Sequence, residues 1–403
     1  MPPSPRGPGV DPIVMRIARI DTVTVNVPFT RAHRSAGRTG RGVTRTLVTV
    51  IGDDGSVGIG ETLHHQSKVV IDQVLAPAVI GADGRDLTWL RARCLPGMGQ
   101  PGAPSRAWES DPWAYSGFEM AVHDLLAKAA GVPLWSLLGG QSRSQIPFVE
   151  YVYPDAEHAT PEAIADDCIA RVTASGAHTL ELKVGVLDPA ADIATVARIR
   201  REIGSTAQIR IDANGAWTVP TAIRTLRALE EYDVANVEEP CRGLVAMARV
   251  RSKVRIPMST HVADVATVAN LGAADSIVFD LPSEGGLESA RQAAAAAEAW
   301  GLGFWMRSTG ELGVGTAAVL HLAAATSSMR HPHQTILHLL EDDMTVERLR
   351  IRRGYLDVPG APGLGIALDQ AKVETYARLH AEQGTYWFWG ERHQPRWQPP
   401  TVW

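Results

Sequence analysis

Polar and apolar positions change rhythm along this chain near residue 146, and the change divides it into two kinds of structure. Before that point, Leu47-Val-Thr-Val-Ile51 and Ser56-Val-Gly-Ile59 alternate on either side of Gly52-Asp-Asp-Gly55, which predicts a β-hairpin around a turn that glycine permits. Tyr115 to Ala130 then carries Phe118, Val122, Leu125 and Leu126 at helical spacing, and Gly131 with Pro133 supplies the stop. A helical layer is therefore expected to follow the sheet.

From residue 146 onward, short β-rich runs alternate with helical segments of about a dozen residues, the pattern of βα units around a parallel sheet. Eight runs stand near Ile146–Tyr153, His178–Val184, Gln208–Ala213, Val234–Glu239, Ile256–His261, Ser276–Leu281, Gly303–Ser308 and Gln334–Leu339. Helices with one apolar stripe fall between them, including Pro161–Ser175, Ala190–Ile203, Val219–Tyr232 and Leu287–Trp300. Eight strands spread over about 220 residues suit a closed barrel better than an open sheet.

Composition narrows the function classes. At 403 residues two packed units are expected rather than one. Lys and Arg total 39 against 44 for Asp and Glu, a net charge of −5, which gives nucleic acid no basic surface to bind. Cys94, Cys168 and Cys241 are distant and odd in number, so they read as reduced thiols of a cytoplasmic protein rather than a disulfide framework. Residues 1–12, rich in proline and glycine without an apolar run, read as a flexible tail rather than a signal peptide. The most apolar stretch, Ala293 to Trp305, is interrupted by Glu298 and two glycines, so no membrane span is expected.

In a βα barrel the chemistry sits at the C-terminal ends of the strands. Here run two ends in Glu181-Leu-Lys183, run three in Asp212-Ala-Asn214, run four in Glu238-Glu-Pro240 and run five in Ser259-Thr-His261, while runs six, seven and eight carry Asp280, Arg307 and His338. Ionisable groups crowded on successive strand ends need a compensating partner, and a hard divalent cation is one. Asp212, Glu238 and His261 lie 26 (238 − 212) and 23 (261 − 238) residues apart, one ligand per βα unit. Since adjacent strands are about 4.8 Å apart, neighbouring tips reach one ion. Strand-end carboxylates also cap the helices that follow them, which is the competing role for each acid taken singly. An imidazole ligand leaves the choice between Mg²⁺ and Mn²⁺ or Zn²⁺ open.

Several stretches resemble the mandelate racemase and glucarate dehydratase branch of the enolase superfamily: Gly58-Ile-Gly-Glu61, Ala121-Val-His-Asp124 running into Gly131-Val-Pro-Leu-Trp-Ser-Leu-Leu-Gly-Gly140, Leu182-Lys183, Ile211-Asp-Ala-Asn-Gly-Ala-Trp217, Val237-Glu-Glu-Pro240 and Pro362-Gly-Leu-Gly365. Pro147-Phe-Val-Glu-Tyr151, Gly185-Val-Leu187, Glu239-Pro-Cys241 and Asp280 point toward the glucarate dehydratase-like subgroup. The resemblance implies a (β/α)₇β TIM-like barrel over residues 146–368, closed by an α+β capping domain over 13–145 that the segment 369–403 completes. It implies that loops near Phe29–Arg41 cover a small carboxylate substrate, that Mg²⁺ is the cofactor with Mn²⁺ as the alternative, and that the chain assembles as a homo-oligomer. The activity it implies is dehydration of an acid sugar: Lys183 removes the proton next to the carboxylate and hydroxide leaves from the neighbouring carbon.

Two positions depart from that pattern. Glu181 stands where relatives carry a second lysine, on the same face as Lys183, and a carboxylate there stabilises protonated lysine or itself serves as a base. Arg307 stands where glucarate dehydratases place a histidine paired with the run-six aspartate, so the His–Asp dyad is absent; Arg307 pairs with Asp280 or grips a substrate carboxylate. His338 is then the candidate general acid, with a structural histidine as its other reading. Tyr151, Asp280, Arg307, His33, Arg396 and Asn214 are the candidate substrate contacts, and His33 with Arg34 would reach the substrate from the cap. The same enolate also serves an epimerase or cycloisomerase, and the two departures leave open a non-catalytic relative that keeps metal and fold.

Overall fold

The computed structural model describes residues 15–36, 38–96, 111–155, 158–386 and 402–403; the tail 1–12, Arg396 and most of the C-terminal tryptophans lie outside them. Strands β1 (Ile17–Ser35), β2 (Arg38–Gly52) and β3 (Val57–Leu63) form one antiparallel sheet in that order. The predicted hairpin is β2 to β3, whose turn is held by the Ser56 amide donating to Asp54 Oδ1 at 2.9 Å. The expected covering loops at Phe29–Arg41 are instead a strand extension: β1 and β2 run on through them, with His33 opposite Gly40 after an irregularity between Pro28 and His33. Bridges from Phe29 to Leu340 and from His33 to Asp155 lay this extension over the barrel.

The helix Pro112–Ala129 starts where Asp111 accepts the Trp113 amide at 2.9 Å and proline occupies the first turn, whose amide needs no partner. It packs directly on β3. A Cβ on Gly58 would fall 2.0 Å from the Ala121 carbonyl and one on Gly60 2.1 Å from that of Gly117, so any side chain there lifts the helix off the sheet. Asp124 on this helix accepts the Ile59 amide at 2.8 Å and the Leu364 amide at 2.6 Å, joining β3, helix and the Pro362–Gly365 stretch through one buried carboxylate.

The barrel begins with a split. Gln145–Pro147 (β4) pairs antiparallel with Tyr355–Asp357 (β12) outside the barrel, and only Glu150–Val152 (β5) joins the parallel sheet. Pro147 has no amide to donate, and the chain changes sheets there. Thr179–Lys183 (β6), Gln208–Asp212 (β7), Val234–Glu238 (β8), Met258–Thr260 (β9), Ser276–Phe279 (β10) and Gly303–Met306 (β11) follow, neighbour beside neighbour. The eighth run is not a strand. His333 bridges Phe148, the Gln334 amide donates to Met306 at 2.9 Å and the Val149 amide to His333 at 2.9 Å, so two residues close the ring before the chain turns into a short 3₁₀ helix at Leu337–Leu339.

Helices Pro161–Ser175, Pro189–Ile203, Val219–Leu229 and Gly286–Ala299 lie where the apolar stripes put them, and Thr160, Asp188 and Thr218 cap the first three. One core spans the barrel through residues such as Leu180, Ile211, Val237 and Ile277, and a second fills the cap around Ile71, Phe118 and Leu125. The strand period of two sends Leu180, Leu182, Ile209 and Ile211 toward the helices and Glu181, Lys183, Arg210 and Asp212 toward the axis. Among the described residues no helix is long and apolar enough to cross a membrane.

Candidate functional site

Parallel register sets Lys183 beside Asp212 and Asp212 beside Glu238, so three successive strands deliver their last charged residue to one level at the barrel mouth. Above them lies a cavity of about 680 Å³, walled by the cap through Phe29, His33 and Arg45 and by the strand ends through Tyr151, Lys183, Asp212 and Arg307. The Lys183 ammonium donates to Asp212 Oδ2 and, at 2.9 Å, to Asn214 Oδ1. Tyr151 donates to the same Asp212 oxygen at 3.2 Å, and the Asn214 amide to the other at 2.8 Å. Asn214 and Glu239, each following a strand-end acid, have φ of 48° and 43°, a left-handed backbone uncommon outside glycine and concentrated at functional turns. Glu239 turns back to accept Thr260 Oγ1 at 2.6 Å and the His261 amide at 2.7 Å, which fixes the loop carrying His261.

Glu181, Asp212 and Glu238 offer carboxylate oxygens that lie within 4.8 Å of one another, all buried. Burial first, and then the neighbouring Glu238 carboxylate, pushes the Glu181 carboxyl well above its usual range; burial and Asp212 push Glu238 up as well. Burial alone would lower the Lys183 pKa, but Asp212, Tyr153 and Glu238 outweigh it and hold the ammonium protonated. Burial opposes ionisation of Asp212 too, yet Lys183 and His261 bring its pKa below the ordinary value. Three buried acids this close repel one another even with Lys183 and Arg210 beside them, and the two that reach the cavity, Asp212 and Glu238, with His261 alongside offer a donor set that fits a divalent cation.

This cluster differs from the expected trio in one member. Glu181 is two residues below Lys183 on the same face and joins Asp212 and Glu238, whereas His261 sits to the side with Nε2 2.5 Å from Glu238 Oε1. Glu181 does not wall the cavity: Gln334 Nε2 donates to it and, at 2.7 Å, to Glu238, while Arg210 lies 3.8 Å beneath it. Gln334 carries no strand-end signal in the sequence: it is the first residue of run eight, and it is the one that faces inward.

The far wall is paired. Arg307 lies 3.3 Å from Asp280, whose other oxygen accepts Thr309 Oγ1 at 3.1 Å, while the buried Arg307 Nε finds no partner among the described residues. His33 lies in the cap wall, 4% exposed, with neither ring nitrogen partnered among the described residues and its pKa lowered to about 4, mainly by burial. His338 is not brought to the site: its Nε2 meets the Tyr151 carbonyl at 3.0 Å, and it lies outside the cavity lining. Trp403 braces the mouth from outside, donating to Ala216 at 2.8 Å and accepting from Thr218 at 2.6 Å.

Residues 19–139 match the family described as mandelate racemase / muconate lactonizing enzyme, N-terminal domain, and residues 163–372 the one described as enolase C-terminal domain-like. A probable glucarate dehydratase of Streptomyces coelicolor is 31% identical over 82% of this chain and 83% of its own length. Muconate cycloisomerase 1 of Rhodococcus opacus is 28% identical over 90% and 99%. The structure of an enolase from Thermobispora bispora complexed with magnesium and formate superimposes with a TM-score of 0.84 at 26% identity, covering 92% of this chain and 94% of that one.

Proposed function

Since the chain belongs to the enolase superfamily through the mandelate racemase / muconate lactonizing enzyme branch, we propose that it is a magnesium-dependent dehydratase of polyhydroxy carboxylic acids. The observation that carries this reading is the asymmetry of the cavity: Lys183 stands on one wall, and the opposite wall presents the Asp280 and Arg307 pair rather than a second free base. A single base suffices to take an α-proton and eliminate a neighbouring hydroxide, whereas epimerisation requires a base on each face.

Asp212, Glu238 and His261 would hold Mg²⁺, or Mn²⁺ in its place, because all three face the cavity whereas Glu181 lies beneath it against Gln334 and Arg210. When bound, the ion supplies positive charge beside the substrate carboxylate, which lowers the cost of the dianion formed on α-proton removal. Asn214 positions the Lys183 nitrogen and Tyr151 holds Asp212, and a cation taking up the charge of Asp212 and Glu238 would relieve what keeps Lys183 protonated, leaving its amine able to act as the base. Arg307, with an Nε unpartnered among the described residues, and His33, with two such nitrogens, are the polar contacts for the substrate's anionic and hydroxyl groups. The polar groups that Lys183, Asn214, Asp280 and Arg307 bring to an otherwise largely apolar wall would bind a hydroxylated acid, and the name of the Streptomyces relative agrees. Incubation with Mg²⁺ and a panel of aldarates and aldonates is expected to yield a 2-keto-3-deoxy acid. The absence of product across the panel would sink the reading.

Cycloisomerisation is the second reading, favoured by relatives named muconate cycloisomerases and compatible with one base. Muconate converted to a lactone without loss of water would decide for it. Epimerisation would instead place solvent deuterium in recovered substrate of both configurations.

A further inference from the structure

Dehydration moves two protons, one from carbon to a base and one to the departing hydroxide, and the foregoing residues supply only the first. The groups named for the second do not reach: His338 is held on the Tyr151 carbonyl, Glu181 lies beneath the cavity, and Arg307 keeps its proton. Tyr153, just past β5, does reach. It walls the cavity, and its ring lies 4.8 Å from that of Tyr151 and 5.8 Å from that of His33. The Lys183 nitrogen sits between the two phenols, 5.2 Å from the centre of the Tyr151 ring and 5.3 Å from that of Tyr153. Tyr151 is buried and donates to Asp212 at 3.2 Å, so its proton is already committed. Tyr153 meets the cavity beside Lys183, where a substrate oxygen entering on that side comes near its hydroxyl.

We propose that Tyr153 is the general acid, donating its phenolic proton to the β-hydroxyl as it leaves. This rests on the dehydratase reading. The Lys183 amine takes the α-proton and becomes an ammonium, and the electron pair of the broken C–H bond forms the carbon–carbon double bond as the C–O bond breaks. The leaving oxygen takes the Tyr153 proton and departs as water; the phenolate then recovers a proton from the neighbouring Lys183 ammonium, restoring both groups, and the enol product tautomerises to the 2-keto acid. Burial, the main influence on the phenol, raises its pKa and keeps it protonated until used.

The test is Tyr153→Phe, assayed in D₂O with Mg²⁺ and the acid-sugar panel for both α-deuterium incorporation and 2-keto-3-deoxy product. Product is expected to fall by about 10²-fold or more, as for loss of a general acid, while deuterium still enters recovered substrate. The rise in Tm on adding Mg²⁺ should match that of the unmodified protein, which shows that the site is intact. Unchanged product formation overturns the assignment, as does equal loss of exchange and product with the Mg²⁺ response retained. If Tyr153→Phe loses the Mg²⁺ response, Tyr153 is a structural support of the metal site and the assignment also fails. Absence of exchange and product with the unmodified protein overturns the dehydratase reading itself, and this role with it.

Discussion

Two groups of buried acids lie within this fold, and they are satisfied in opposite ways. At the seam between cap and barrel, Glu61 accepts the Leu312 amide at 2.7 Å and that of Gly315 at 2.8 Å, while Arg45 lies 3.6 Å away and also donates to Gly310 at 2.7 Å. Glu311 beside it accepts Ser308 and the Thr309 amide at 3.0 and 3.2 Å. At the mouth, Glu181, Asp212 and Glu238 share Lys183, Gln334 and a side-on His261. The seam acids are held by backbone amides and one arginine and act as a joint; the mouth acids crowd one another with Lys183 and Arg210 beside them and open to a cavity. Burial alone therefore does not mark a functional acid, but buried acids crowded together beside open space do.

The largest effect expected is at the chemistry of the mouth. Lys183→Ala should cut turnover by about 10² to 10⁴-fold while leaving the Mg²⁺-induced rise in Tm in place. A variant that keeps its turnover would remove the distinction between the two acid groups. At the seam, Arg45→Met should destabilise the fold by about 3 to 5 kcal/mol in urea unfolding, because it strands buried carboxylates without their cation. Retained stability would mean that the backbone donors suffice. Next, Mg²⁺ at about a hundred times its Kd should add about 2.7 kcal/mol of stability, an increment that Glu238→Gln abolishes and Glu61→Gln does not. Equal response in both variants would place the ion elsewhere.

The last effect is a matter of pH. Burial raises the Glu61 and Glu311 carboxyls from an ordinary 4.5 to about 7, so the folded protein binds these protons more tightly than the unfolded chain. Their contribution favours folding below pH 4.5 and is lost as pH rises toward 7. In urea unfolding across this pH range, the unmodified protein should lose more stability between those values than the Glu61→Gln, Glu311→Gln double variant. Parallel profiles would show that the seam acids are ionised throughout.

Much of this was legible before the coordinates. Periodicity placed the helices Pro161–Ser175 and Pro189–Ile203 within a residue of where they lie, because proline, a capping Thr or Asp and an apolar stripe are all local signals. Asp212 and Glu238 were legible for the same reason, as last residues of short apolar runs. The eighth run misled because Gln334–Leu339 has a strand's composition, yet only two of its neighbouring residues find ladder partners. The Phe29–Arg41 stretch misled in the opposite direction, since it is polar and shows no alternation, yet its two arms pair with each other, His33 opposite Gly40 and Ser35 opposite Arg38.

What the amino-acid order determined by itself was the succession of βα units and which residue types end each strand, since both follow from short-range periodicity and capping. Tertiary structure alone decided that Arg307 closes on Asp280, that Glu181 joins the acid cluster while His338 turns away, and that Tyr153 stands beside Lys183. Those outcomes depend on strand register and on the angle at which each chain segment crosses the ring, and one residue of slip exchanges an inward side chain for an outward one.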